Sequence, residues 1–177
     1  MQSITLMRKI FRQFNKNCEY WLLLVFYTMV VSTVGIEVIR RFVLSYSSIW
    51  GEEVSRYAFI YLVWIGLAMA VRDRSSIRID VLLQFVSSKT KTGFYLFGDF
   101  CMLVVATFAL FYSIETFSTS LKFGSVTHGL RIANAWFLFA LPFGFTLTIF
   151  RLVQSIMRDY NDFRNNRKPF EGNKLFD

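Results

Sequence analysis

Few residues of this chain could build a soluble surface or a catalytic centre. Only 18% of its 177 residues are charged, and it holds just 2 Cys, 2 Pro and 1 His. Two cysteines leave no disulfide framework, and with a lone histidine they leave neither a zinc cluster nor a pair of axial ligands for a transmembrane haem. No cofactor is therefore expected. What fills the chain instead is apolar: 54% hydrophobic residues, 21 Phe, 4 Trp and a mean hydropathy of +0.41. Such a composition belongs in a bilayer. At about 20 residues per crossing the length holds about four crossings and their connectors, and no separate soluble enzyme domain.

The apolar runs place those crossings. Cys18 to Ile36 carries one charge, Glu19, near its start, and Tyr20 and Trp21 stand where amphipathic rings prefer the interface. Tyr57 to Val71 becomes long enough to span once Val54 to Arg56 is included and Arg56 snorkels outward. The third run, Phe100 to Ile114, extends backward through Gly93 with Asp99 embedded, and the fourth, Ile132 to Phe150, contains Asn134 and Pro142. The expected architecture is an all-α integral membrane protein with transmembrane helices at about 18–43, 52–72, 92–118 and 132–152. A cleaved signal peptide is not expected, because no small-residue cleavage site follows the first run.

The net charge of +8 is no argument for nucleic acid until its distribution is known. Of the 20 Lys and Arg, 4 precede the first run, 5 lie between second and third and 6 follow the fourth, against 3 and 2 on the alternate sides. By the positive-inside tendency both termini lie in the cytoplasm, and no nucleic-acid partner is implied. Residues 1–17 form a basic segment with Met7, Ile10, Phe11 and Phe14 at amphipathic spacing, expected to lie flat on the lipid. Ile79, Leu82, Leu83 and Val86 repeat the pattern between the second and third spans. The transmembrane domain is 18–155, and residues 156–177 are a charged tail with little apolar periodicity, expected to be mobile.

Polar residues concentrate on the outer side, from Ser47 and Ser48 through Trp50, Glu52, Glu53 and Arg56 to Tyr57. Ser47 or Ser48 can cap a helix whose dipole favours the two early carboxylates. Either carboxylate is spaced to neutralise Arg56, at i, i+4 or i, i+3. Paired acids can also act as catalytic acid and base, but adjacent helical residues point about 100° apart, and no nucleophile accompanies them. Glu37 with Arg40 and Arg41 reads as an interfacial pair. Asp99 is the costliest residue, an ionisable group inside hydrocarbon that needs a partner, for which Arg72 is in reach. A proton or ion relay through it is the sharper alternative. His128 reads as a solvated loop residue. Gly66 with Ala70 and Ala140 with Gly144 are small-xxx-small pairs suited to close helix approach. No polar line runs along the helices, so the chain is poorly equipped to carry a solute by itself.

The order Trp50, Glu52, Glu53, Arg56, Tyr57, then Gly66, Ala70, Arg72 and Asp80, resembles the W-x-E-E-x-x-R-(Y/F) helix and following segment of the small membrane (DctQ-type) subunits of tripartite ATP-independent periplasmic (TRAP) transporters. Ala133, Trp136, Pro142 and Gly144 are similar to the pattern of that family's fourth helix, and the resemblance covers roughly residues 18–155. It implies an inner-membrane scaffold in a sodium-driven uptake system for organic acids such as C4-dicarboxylates or sialic acids. A large membrane subunit would hold the sodium and substrate sites and move as an elevator. A periplasmic binding protein would dock outside, on the loops carrying Ser45, Ser47, Ser48, Lys122, His128 and Arg131, while Trp50, Glu52, Glu53 and Arg56 would order the outer end of the second helix. Two rivals belong to other classes. Arg12 to Glu19 loosely resembles the Arg, Asn, Cys and Glu grouping of glutathione-dependent membrane enzymes, but it precedes the first span. A stand-alone exporter would need Glu37 or Asp99 as its coupling acid.

Overall fold

The computed structural model describes residues 2–46, 48–74 and 88–165. Ser47, Asp80, the expected amphipathic segment at Ile79 to Val86 and the tail beyond 165 lie outside the described residues, as do the side chains of residues 1–17. Among the described residues four helices carry the fold: α1 (Gln2–Val43), α2 (Ile49–Asp73), α3 (Ser88–Phe123) and α4 (Ala135–Arg164). All four contain stretches long and apolar enough to cross a membrane. Helices are the form open to such sequences, because lipid offers no partner to an unpaired peptide group.

The ends follow local chemistry. Ser45, at φ 50°, terminates α1, and the N–H groups of Leu44 and Tyr46 both donate to the Arg40 carbonyl. Gly124, at φ 57°, ends α3 in the left-handed conformation that costs glycine least. Asn134 precedes α4, where its carbonyl accepts the Phe137 and Leu138 N–H groups. The fourth helix thus begins three residues later than expected, since 132–134 belongs to the preceding loop. Pro142 inside α4 leaves the Leu138 carbonyl without its i+4 donor.

Two expectations about helix ends are corrected. The basic N-terminal segment is not a separate element, since α1 runs unbroken from Gln2 into the first span. The tail does not begin at residue 156: α4 continues to Arg164, and Asp159 is fully buried.

The chain divides into two compact units, residues 1–66 with 119–140, and residues 67–118 with 141–177. In the first, the rings of Phe26 and Tyr61 stack at 5.3 Å, and those of Tyr57 and Phe137 meet edge to face at 5.2 Å. The Tyr61 hydroxyl donates to the Trp136 carbonyl at 2.7 Å, and Ser55 Oγ lies 2.9 Å from Thr33 Oγ1. In the second unit Val71, Ala106 and Leu152 are buried, with Met102, Leu103, Phe145 and Ile149 packed against them. The buried face of α3 there is Thr92, Tyr95, Asp99 and Ala106, and that of α4 is Gly144, Thr148, Leu152, Ser155 and Asp159. Both sets keep the three-and-four spacing of a helix stripe.

Candidate functional site

The first unit joins its elements through two carboxylates. Glu37, in the penultimate turn of α1, reaches the start of α2: the Ser48 N–H donates to its Oε2 at 3.2 Å, and the Ser48 hydroxyl bonds its other oxygen. A carboxylate is suited to this place, at the positive end of the α2 dipole. Arg40 completes the corner, 3.5 Å from Glu37 Oε1 and 3.3 Å from Ser48 Oγ, with its guanidinium over the rings of Tyr46 and Trp50. Gly51 makes room: a Cβ there would lie 2.6 Å from Glu37 Cδ.

The second carboxylate is Glu53. The loop after α3 folds back as a small hairpin, closed by a Val126–Ala133 bridge with Thr127 N–H donating to the Ile132 carbonyl at 2.9 Å and Asn134 N–H to Ser125 at 2.8 Å. Its turn presents two successive backbone donors inward. Gly129 N–H donates to Glu53 Oε1 at 2.7 Å and Leu130 N–H to Oε2 at 2.8 Å. Both oxygens of one charge are satisfied by a turn that carries no other carboxylate, and charge-assisted bonds of this kind are roughly twice as strong as neutral ones. A Cβ on Gly129 would stand 2.9 Å from Ile49 Cγ2 and 3.0 Å from Glu53 Cδ, so any side chain there would have to push both back.

The expected residues of this unit therefore separate. Glu53 is a loop anchor, and no ion pair joins Arg56 to Glu52 or Glu53 among the described residues; Glu52 and Arg56 are both exposed. Ser48 sits before the first residue of α2 but spends its hydroxyl on Glu37. At 4% exposure it is no docking residue. Ser45, Lys122, His128 and Arg131 are exposed, and Trp50 is half exposed. Trp136 is 62% exposed and joins the fold through its carbonyl, not its indole. Tyr57 is packed on Phe137. Pro142 is buried in α4. Gly66 is not needed for close approach, because a Cβ there would meet only Leu23 Cδ2 at 3.7 Å.

In the second unit the partner of Asp99 is Arg74, not Arg72. Arg72 lies beside its neighbour Asp73, with Nε–Oδ1 at 2.8 Å and Nη2–Oδ2 at 3.0 Å. Arg74, at φ 52°, turns its side chain into the protein, where Nη2 lies 3.9 Å from Asp99 Oδ2 and pairs closely with Asp159. Its guanidinium sits 4.6 Å from the Tyr95 ring centroid. Ser155 donates to Asp99 Oδ2 at 2.8 Å, and Arg158 Nε lies 3.8 Å from Asp159 Oδ1. Arg74, Ser155 and Asp159 were not among the expected residues. The signal for Ser155 and Asp159 was their spacing with Thr148 and Leu152, which continues the buried face of α4 beyond the apolar run.

Neither carboxylate that an exporter would use for coupling is idle: Glu37 holds the start of α2, and Asp99 is engaged with Arg74 and Ser155. The helices meanwhile expose their apolar side chains, on α1 including Trp21, Val25, Tyr27, Val31 and Ile39. Such a surface is built to be covered by lipid or protein. Residues 29–162 match the family model described as the DctQ component of tripartite ATP-independent periplasmic transporters. The chain belongs to this family. It is 22% identical over 84% of its length, and 84% of the relative's, to the sialic acid TRAP transporter small permease protein SiaQ of Vibrio cholerae. It also matches the isethionate TRAP transporter permease protein DctMQ of Oleidesulfovibrio alaskensis, 26% identical over 62% of this chain, and the sialic acid TRAP transporter permease protein SiaT of Haemophilus influenzae, 27% identical over 72%. The matches span only 17% and 21% of those two longer proteins. This DctQ-family chain is thus a multi-pass inner-membrane protein of the transporter-subunit type and not an enzyme.

Proposed function

We propose that this chain is the scaffold subunit of a sodium-coupled TRAP transporter for organic acids, packed beside a large membrane subunit that carries the sodium and substrate sites. Four helices would fix the large subunit's stationary part in the bilayer while its transport domain moves as an elevator. Both termini would face the cytoplasm, and the α1–α2 corner and the 124–134 hairpin would face the periplasm, where a binding protein delivers substrate. The observation that carries this reading is the contrast between surface and interior. Large apolar side chains line the outside of α1, whereas Glu37, Glu53, Asp99 and Asp159 are all engaged internally. A solute path needs the reverse. The matches within longer permease proteins support a large partner, and the sialic acid and isethionate relatives support an anionic substrate.

Co-expression of a tagged copy with its large subunit tests the reading. Stoichiometric copurification through size-exclusion chromatography is expected. A chain that purifies alone as a folded species, and is not retained by the large subunit, would refute it.

A further inference from the structure

On the α1–α2 corner, the hairpin and the end of α3, Arg41, Arg56, Lys122 and Arg131 are exposed, against the exposed acids Glu52 and Glu115. The imbalance has a structural origin. Glu37 and Glu53 turn inward to backbone N–H groups, so neither is available to neutralise a base at the surface. Glu53 does more than withdraw its charge. By taking two successive donors of the hairpin turn it fixes the backbone at Gly129 and Leu130, with His128 before them and Arg131, at φ 53°, directly after. Arg131 is thereby held on an anchored turn, and Lys122 lies in the last turn of the helix that leads into it.

From this geometry we infer that the hairpin is a preorganised cationic platform for an acidic protein face, and that Glu53 is the positioning residue that sets it. This rests on the docking role proposed above and specifies its chemistry: the binding protein meets Lys122 and Arg131 with carboxylates. Preorganisation has a purpose here, since a loop fixed beforehand loses less freedom when a partner seats on it. Opposite charges across such a rim act chiefly on association rate, and salt weakens them.

The test uses the assembled membrane complex in nanodiscs and the purified binding protein. Wild-type docking should weaken steeply with ionic strength, and the Lys122→Glu/Arg131→Glu pair, both exposed positions, should reduce affinity about tenfold or more with unchanged complex yield. Glu53→Ala should accelerate hydrogen exchange at Gly129 and Leu130 and weaken docking in parallel, with Glu53→Gln, which keeps one acceptor, in between. Salt-independent docking, or wild-type affinity in the charge-reversed pair, would overturn the inference alone. So would full docking by Glu53→Ala with both amides released. If the charge reversal alters retention of phosphatidylglycerol but not docking, the bases serve lipid headgroups and the inference fails. If wild type does not dock at all, the docking role falls with it.

Discussion

Arg74 is the residue whose loss should damage this protein most. Its side chain is 1% exposed and sits against two carboxylates that are themselves buried, Asp99 and Asp159. At an effective dielectric of about 20, a pair of unit charges about 4 Å apart attracts by about 4 kcal/mol, and desolvation consumes much of that gain. Removing one partner of a buried pair typically costs about 3–5 kcal/mol, because the other is left as an uncompensated charge. Arg74→Met removes a base from two buried carboxylates at once, while Ser155 still donates to Asp99 and Arg158 stays near Asp159, so the loss should fall within that range. The triple variant Arg74→Met/Asp99→Asn/Asp159→Asn removes the charges together and should recover most of the stability, to within about 1–2 kcal/mol of wild type. Heat-induced loss of the monodisperse peak in detergent, followed by fluorescence-detected size exclusion, orders the variants. If Arg74→Met is as stable as wild type, or if the triple variant is no better than the single one, the ion cluster does not hold the second unit together.

Gly66→Ala should be tolerated, within about 0.5 kcal/mol, since the added methyl finds ordinary contact distance. Gly129→Ala should weaken the hairpin by about 1–3 kcal/mol, as Ile49 and Glu53 must both retreat, and faster exchange of the Leu130 amide would report it. Tyr61→Phe should lose about 1 kcal/mol with the bond to the Trp136 carbonyl, read as a lower midpoint on heating.

The four spans were legible because each is a long apolar run, and in lipid such a run has little alternative to a helix. The polar contacts were only partly legible, for a physical reason. Spacing along one helix reveals which side chains share a face, so Glu37 with Arg40 could be read from i, i+3. It says nothing about backbone donors presented by a distant segment. Glu53 therefore looked like a partner for Arg56, when the N–H groups of Gly129 and Leu130, more than 70 residues away, were better placed to take both its oxygens. Asp99 announced that it needed a base, but choosing between Arg72 and Arg74 depends on how α2 ends, and a positive φ at an arginine has no sequence signature. Asp159 was hidden by the polar residues around it. Only the continuing stripe of Thr148, Leu152 and Ser155 marks that turn as buried.

In the proposed scaffold role the chain contributes structure to transport but no route for the solute. Reconstitution into liposomes, alone and together with the large subunit and binding protein, measures it directly under an inward sodium gradient. Saturable uptake of the organic acid by the complete set, and none by this chain alone, is the predicted result. Gradient-driven, saturable uptake by the isolated chain would contradict it.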